Sequence, residues 1–329
     1  MVGNERRRPV AVSPDPKVVA MGGGHGLSAS LAALRTLTRE LTAIVTVADD
    51  GGSSGRIRRE LGVLPPGDLR MALATLAADD EGCDRLGRLL QHRFGGYGAL
   101  AGHPVGNLLI TGLIELLDGD AVEALAVVGR MVGARGRVLP MSPVPLEIAA
   151  MVSGIDTDHP TDVRRIRGQV AVATTPGRVV SVALVPDEPP ACPEAVAAIC
   201  AADAVILGPG SWFTSVLPHV MVPELRTAMM TTEARIVVAL NLAPQPGETE
   251  GFSPQELLDA LYRHAPDLLV DVVLADEEAV LDRRGLTDSV HARGARLVLA
   301  PVAAADGTAR HDPELLAAAL APLIGADAR

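Results

Sequence analysis

The segment VADDGGSSGR (47–56) puts two adjacent carboxylates at the end of an apolar run and follows them with glycines, serines and an arginine. Successive side chains of a strand point to opposite faces, so Asp49 and Asp50 reach one cation only if the chain turns between them. Gly51 and Gly52 permit that turn. Carboxylates in such a place suit Mg²⁺ beside a phosphate, or the hydroxyls of a ribose or sugar. Ser53 and Ser54 add hydroxyl donors, while Arg56, Arg58, Arg59 and Arg70 add local positive charge. A capped turn ahead of a solvated basic helix face is the plainer alternative.

Upstream, a β-branched run ends directly in GGGHG, where Gly22, Gly23, Gly24 and Gly26 surround His25; Leu27, Leu31 and Leu34 then repeat at helical spacing. A glycine in a regular element costs roughly 0.5–1 kcal/mol relative to alanine, so this many glycines need a reason. A strand–glycine–helix junction supplies one, because backbone N–H groups converge there on the positive end of a helix, where phosphate binds. A tight turn with close helix–sheet packing is the other reading. A second junction of the kind is LGPGSWFTSV (207–216), with Gly208, Gly210 and Ser211 ahead of a short helix. The third is GHPVGNLLITGLIELL (102–117), in which Asn107 either caps a helix or contacts a ligand, and His103 is a polar loop residue rather than a metal ligand. One helix terminus contributes about 0.3–1 kcal/mol, whereas micromolar affinity requires about 8 kcal/mol. Several loops must therefore converge to make a site.

A scaffold has to bring them together. From Lys17 onward, short β-branched runs alternate with longer alanine- and leucine-rich stretches, the pattern of β–α units around a parallel sheet. The predicted strands are 18–21, 43–48, 204–207, 236–241, 270–274 and 296–300. They lack the alternation of a one-sided sheet, so helices are expected on both faces. The expected fold class is a three-layer α/β/α, Rossmann-like arrangement with a mostly parallel sheet. Residues 17–325 are read as a single domain with a helical insertion at about 68–132 and a β-rich addition at about 137–185. In the addition, VAVATT and RVVSVALV flank Pro176-Gly177 and predict a hairpin on the parallel sheet. Residues 1–16 read as a disordered tail. SPQE (253–256) has the form of a capping box, and Asp312-Pro313 opens the last helix as cap and first residue.

Composition narrows the function classes. Apolar residues make up 48% and charged ones 21%, as in a globular chain. With 29 Lys and Arg against 40 Asp and Glu, the net charge is −11, which repels polyanions and argues against nucleic acid as a partner. No apolar run approaches the roughly 18 residues of a membrane span, and the N-terminal residues lack the apolar stretch of a signal peptide. A cytoplasmic protein is expected. Cys83, Cys192 and Cys200 show no metal-ligand spacing and read as small core residues of a reducing compartment. Phe94, Tyr97, Trp212, Phe213 and Phe252 lie in or beside the loops; packing behind a cleft is favoured for them over stacking on a base. A homodimer is the default, since closed symmetric pairs are common.

Together the motifs resemble the gluconeogenesis factor (YvcK-type) family, relatives of 2-phospho-L-lactate transferase (CofD-like). The matching segments are VVAMGGGHGLS (18–28), TAIVTVADDGGSSGRIR (42–58), PPGDLR (65–70), GHPVGNLL (102–109), LGPGSWFTSVLPHV (207–220) and NLAPQPGETEGFS (241–253). His25 stands where many members carry threonine. The resemblance implies a Rossmann-like fold, binding of UDP-sugars and notably UDP-N-acetylglucosamine, and a cytoplasmic role linking carbon metabolism to peptidoglycan precursor supply and cell shape. It also implies that Arg310, in ARHDPELL (309–316), contacts the nucleotide sugar, a diphosphate suiting a guanidinium fork.

Three functions follow as expectations. The leading one is a regulatory nucleotide-sugar sensor that requires no cofactor and reports to enzymes of peptidoglycan precursor synthesis. The second is an Mg²⁺-dependent phospho-group transferase like the CofD-like relatives, with Asp49 and Asp50 at the metal. The third is an NAD-binding protein, since Gly24, Gly26 and Ala29 fit G-x-G-x-x-A with an acid about twenty residues later. No general base or nucleophile constellation stands out in the sequence.

Overall fold

The computed structural model describes residues 15–325. Among them the strands are β1 (Val18–Gly22), β2 (Leu41–Val45), β3 (Arg137–Pro140), β4 (Glu147–Ser153), β5 (Val163–Arg167), β6 (Arg178–Val185), β7 (Ala204–Leu207), β8 (Arg235–Ala239), β9 (Val272–Asp276) and β10 (Arg296–Ala300). Seven of them form one sheet in the order β10-β9-β8-β7-β1-β2-β3, with every neighbouring pair parallel. In β1, Val18, Val19, Ala20 and Met21 point alternately to the two sides and all are buried, so helices cover both faces. That is the α/β/α architecture the sequence predicts.

The chain leaves β1 toward β2 and β3 on one side and builds β7 to β10 on the other. The direction reverses between β1 and β7, and open α/β sheets bind ligands beyond the carboxyl ends of the strands at such a reversal. The glycine loops at 22–26 and 208–211 leave these two strands.

Between β2 and β3 the chain forms helices Gly52–Leu61, Pro66–Leu76, Glu81–Gln91, Val105–Leu116 and Ala121–Met131. Helix Pro254–His264 carries the predicted capping box: the Glu256 N–H donates to Ser253 Oγ at 3.3 Å, and Glu256 accepts from the Ser253 N–H at 2.9 Å. Asp312 caps helix Pro313–Ile324 by accepting from the Glu314 and Leu315 N–H groups.

The structure corrects several expectations. VAVATT is not a strand: Gln169–Ala173 is a short helix, and β6 belongs to a separate antiparallel sheet of order β5-β4-β6 rather than to a hairpin on the parallel one. The strand β3, at the edge of the main sheet, was not foreseen; its four residues are too few to show a pattern. The ends of β2, β8 and β9 are displaced by one to three residues from the expected ranges. Of the cysteines, only Cys192 is buried; Cys83 is half-buried and Cys200 exposed. The expected tail falls mostly outside the described residues, but the Pro16 carbonyl accepts from Thr38 Oγ1 at 2.6 Å, which places it against the fold.

Candidate functional site

Gly23 is the extended N-cap of helix Gly24–Leu34, and Gly24 begins the helix at φ +56°. Gly23 has no side chain with which to cap this end, and no acid lies in the helix's own first turn. The first N–H groups of a helix have no partner within it. Here the Gly24 N–H donates to the Asp68 carboxylate, and those of His25 and Gly26 face the same end. Gly26 packs directly on the second glycine loop, where a Cβ would lie 2.5 Å from the Gly210 Cα. A Cβ on Gly23 would come as close to the Asp68 carboxylate. Both glycines are thus required by contact.

In the second loop, Gly208 and Gly210 take φ +78° and +143°. A π-turn, Trp212–Val216, follows, with the Val216 N–H donating to the Ser211 carbonyl at 3.0 Å. Asn241, just past β8, brackets Gly210: its Oδ1 accepts from the Gly210 N–H and its Nδ2 donates to the Gly210 carbonyl, both at 2.8 Å. Glu248 fills the helix start. It accepts from the Phe213 and Thr214 N–H groups at 2.8 and 2.9 Å and from Ser211 Oγ. The anion-friendly end expected here therefore already holds an anion, the protein's own. Burial raises the Glu248 carboxyl above its ordinary range, against the pull of these donors.

The two loops, the 241–246 segment and residues 309–311 line a cleft of about 490 Å³, within the range of small-molecule sites. Of the residues singled out in the sequence, Gly23, Gly24, His25, Gly26, Gly210, Ser211 and Arg310 line it. Arg310 is exposed and held by Asp306 at 2.5 Å and by Thr308 Oγ1 at 3.0 Å. Gln169, at the start of the short helix after β5, completes one side.

The remaining candidates sit outside the cleft lining. Gly22 ends β1 and Gly208 follows β7. Asp50 accepts from the Val170 N–H at 3.0 Å and so fastens the small sheet's helix to the main domain. Ser53 is buried, bonded to His103 Nδ1 at 2.7 Å and accepting from Asn107 Nδ2 at 3.0 Å. Asn107 is no cap: Pro104 holds that position, and Asn107 lies within the first turn of Val105–Leu116. Asp49 accepts from the Gly51 N–H at 2.9 Å and is hydrogen-bonded by Ser54.

Asp68 links the two regions. It lies in the first turn of helix Pro66–Leu76, lines the cleft and feels the charge of Asp49. Burial first, and then Asp49, push its carboxyl up to about 7. Asp49 is raised as well, chiefly by burial, with the Asp50 charge adding to it. Positive charge brought near either acid, as a proton or a cation, lowers the cost of that buried charge. Among the described residues no group of three or more His, Cys, Asp or Glu is placed to hold a metal.

Sequence reasoning missed the roles of Asp68, Asn241 and Glu248, although PPGDLR and NLAPQPGETEGFS contain them. Nothing in a linear motif shows that a carboxylate will cap a loop far along the chain. The aromatics divide. Trp212, Phe213 and Phe252 are buried behind the second loop, with Phe213 and Phe252 edge-to-face at 5.4 Å, whereas Tyr97 is fully exposed and Phe94 half-buried.

Comparison with known proteins places this geometry in a lineage. The family model described as 2-phospho-L-lactate transferase CofD matches residues 18–299. A gluconeogenesis factor family protein of Mycobacterium leprae is 56% identical over 309 residues, covering 93% of this chain and 85% of its own. The gluconeogenesis factor of Halalkalibacterium halodurans is 37% identical, covering 80% of this chain and 79% of its own. A crystal structure of a UPF0052 family member from Bacillus halodurans superposes with a TM-score of 0.83 at 32% identity, covering 94% of this chain and 99% of that one.

Proposed function

The chain belongs to the gluconeogenesis factor, CofD-like family, and from that premise we propose that the cleft binds UDP-N-acetylglucosamine as a regulatory signal in the cytoplasm. In this reading the protein relates the supply of central carbon to peptidoglycan precursor synthesis and cell shape, acting through enzymes that read its ligand state. One observation carries the reading: a helix start at Gly24–Gly26, whose first amide alone is taken by Asp68, and the guanidinium of Arg310 border the same cleft at the reversal point of the sheet. A diphosphate suits both, the amides as fixed dipoles and the arginine as a two-pronged donor. The sugar and base are left to the segment 241–246 and to Gln169.

A second reading, phospho-group transfer with Mg²⁺, is favoured by one feature, the buried Asp49 and Asp68 carboxylates, close enough that the charge of Asp49 raises Asp68. These two, with Ser54 beside them, are the residues that would hold the cation; Asp50 is committed to Val170. Mg²⁺ there would neutralise charge on a transferring phosphoryl group. The NAD reading draws less support, because Asp49 and Asp50, which would hold the ribose, are engaged with Gly51, Ser54 and Val170.

Calorimetric titration with UDP-N-acetylglucosamine, GDP and NAD, each with and without Mg²⁺, separates the three. Preference for the UDP-sugar without turnover supports the regulatory reading. Tight GDP binding with phospho transfer to a hydroxylated acceptor would overturn it. Affinity for the preferred ligand that is unchanged by Asp49→Asn, with and without Mg²⁺, removes Asp49 from the metal.

A further inference from the structure

The small antiparallel sheet has an open side. β5 is its edge strand, bonded to β4 alone, and its sequence VRRIR has three arginines in five residues of a chain that is acidic overall. The Gly168 N–H donates to the Ile148 carbonyl at 2.8 Å, and this fixes the phase of the ladder. Hydrogen-bonded pairs alternate in an antiparallel ladder, so Arg164 and Ile166 bond to β4 while the N–H and C=O groups of Val163, Arg165 and Arg167 point to the open edge.

The surface around that edge is mixed. Val163 is 46% exposed, Met151, opposite Arg165 on β4, is 38% exposed, and Val180 on β6 is 42% exposed. Arg164 pairs with Asp156 at 2.8 Å and Arg167 with Glu147 at 2.6 Å. Arg165 has no carboxylate partner among the described residues. A strand with unmet backbone groups, an apolar strip beside it and an unmatched cation is a template for strand addition.

We propose that the outer edge of β5 docks an extended, acidic segment of a partner protein, which adds as a fourth strand and sets carboxylates against Arg165. Charge decides between occupants. A second copy would bring arginine against arginine: paired antiparallel about its centre, Arg165 meets Arg165, and slipped by two residues, the next register that keeps the outward amides paired, Arg164 meets Arg164 or Arg165 meets Arg167. Like charges opposite each other destabilise a strand pair. An acidic strand meets the same side chains with the opposite sign. Strand addition, unlike nucleic-acid binding, also uses the outward amides.

The test uses the full chain without nucleotide, so that its outcome does not depend on what the cleft binds. The probe is a fluorescein-labelled peptide of about seven residues alternating glutamate and valine, read by anisotropy; strand addition supplies its backbone bonds. Saturable binding is expected, weakened about tenfold or more by Arg165→Glu and kept by Arg165→Lys, a tenfold change being a shift of 1.4 kcal/mol. The same peptide N-methylated on alternate amides is expected to lose binding, a control that leaves the protein untouched. Val163→Pro, which removes an outward donor where proline is tolerated, should weaken binding too. The proposal is overturned if the acidic peptide does not bind, or if the N-methylated or lysine-for-glutamate peptide binds as well. It is equally overturned if a single-stranded RNA outcompetes the peptide, or if sedimentation shows a dimer that Arg165→Glu dissolves.

Discussion

Replacing Asp68 by asparagine isolates the charge that the cleft floor holds under strain. The carboxyl stands at about 7 instead of 3.8, a rise of about 3 units, and at 1.36 kcal/mol per unit this is about 4 kcal/mol. Asp68 is partly open to the cleft, and solvent screening and relaxation reduce the figure to about 2 kcal/mol. The sign follows from proton counts. Between about pH 4 and pH 7 the folded state keeps a proton that the unfolded chain has released, so stability falls as pH rises through this window, and the whole penalty stands above it. Asparagine keeps an acceptor for the Gly24 N–H and has no charge to penalise. Asp68→Asn should therefore raise the melting temperature at pH 8 by about 4 °C, at roughly 2 °C per kcal/mol for a chain of this size. The difference should vanish toward pH 4. Thermal unfolding in the presence of a chelator, at several pH values, reads it. A gap independent of pH, or a mutant less stable at pH 8, refutes the reasoning.

Arg310→Ala should weaken UDP-N-acetylglucosamine by about 1.5–3 kcal/mol, the worth of a charged hydrogen bond, and calorimetry reads this as roughly a 10- to 150-fold loss. Gly26→Ala drives a methyl into the second glycine loop and should destabilise the fold by about 1–3 kcal/mol, seen in denaturant unfolding, while reducing ligand affinity. Glu248→Ala strips the Phe213 and Thr214 N–H groups of their acceptor and should cost about 1–3 kcal/mol of stability. Amide exchange at those two positions should rise more than the global loss explains.

The features legible in the sequence were those enforced locally. β1 and β7 could be placed because an uninterrupted apolar run ending in glycine has few backbone solutions, and the caps at Ser253 and Asp312 because a cap acts within three residues. The long-range features were hidden. VAVATT alternates like a strand, yet its first turn is held as a helix by the carboxylate of Asp50, distant in sequence. Glu248 stands in a proline- and glycine-rich loop with no local signal of its role, which depends on the π-turn it closes. Asp49 and Asp50 were read as equivalent, whereas the turn between them sends one toward Asp68 and Ser54 and the other to the short helix after β5.

The seating of Glu248 gives the cleft a polarity. With one helix mouth stoppered from within and the other engaged by Asp68 only at its first amide, the two ends offer a guest unlike welcomes, so an elongated molecule with a charged waist has one way round to lie. Orientation would then be dictated by which mouth evolution chose to plug, before any side chain reads the sugar.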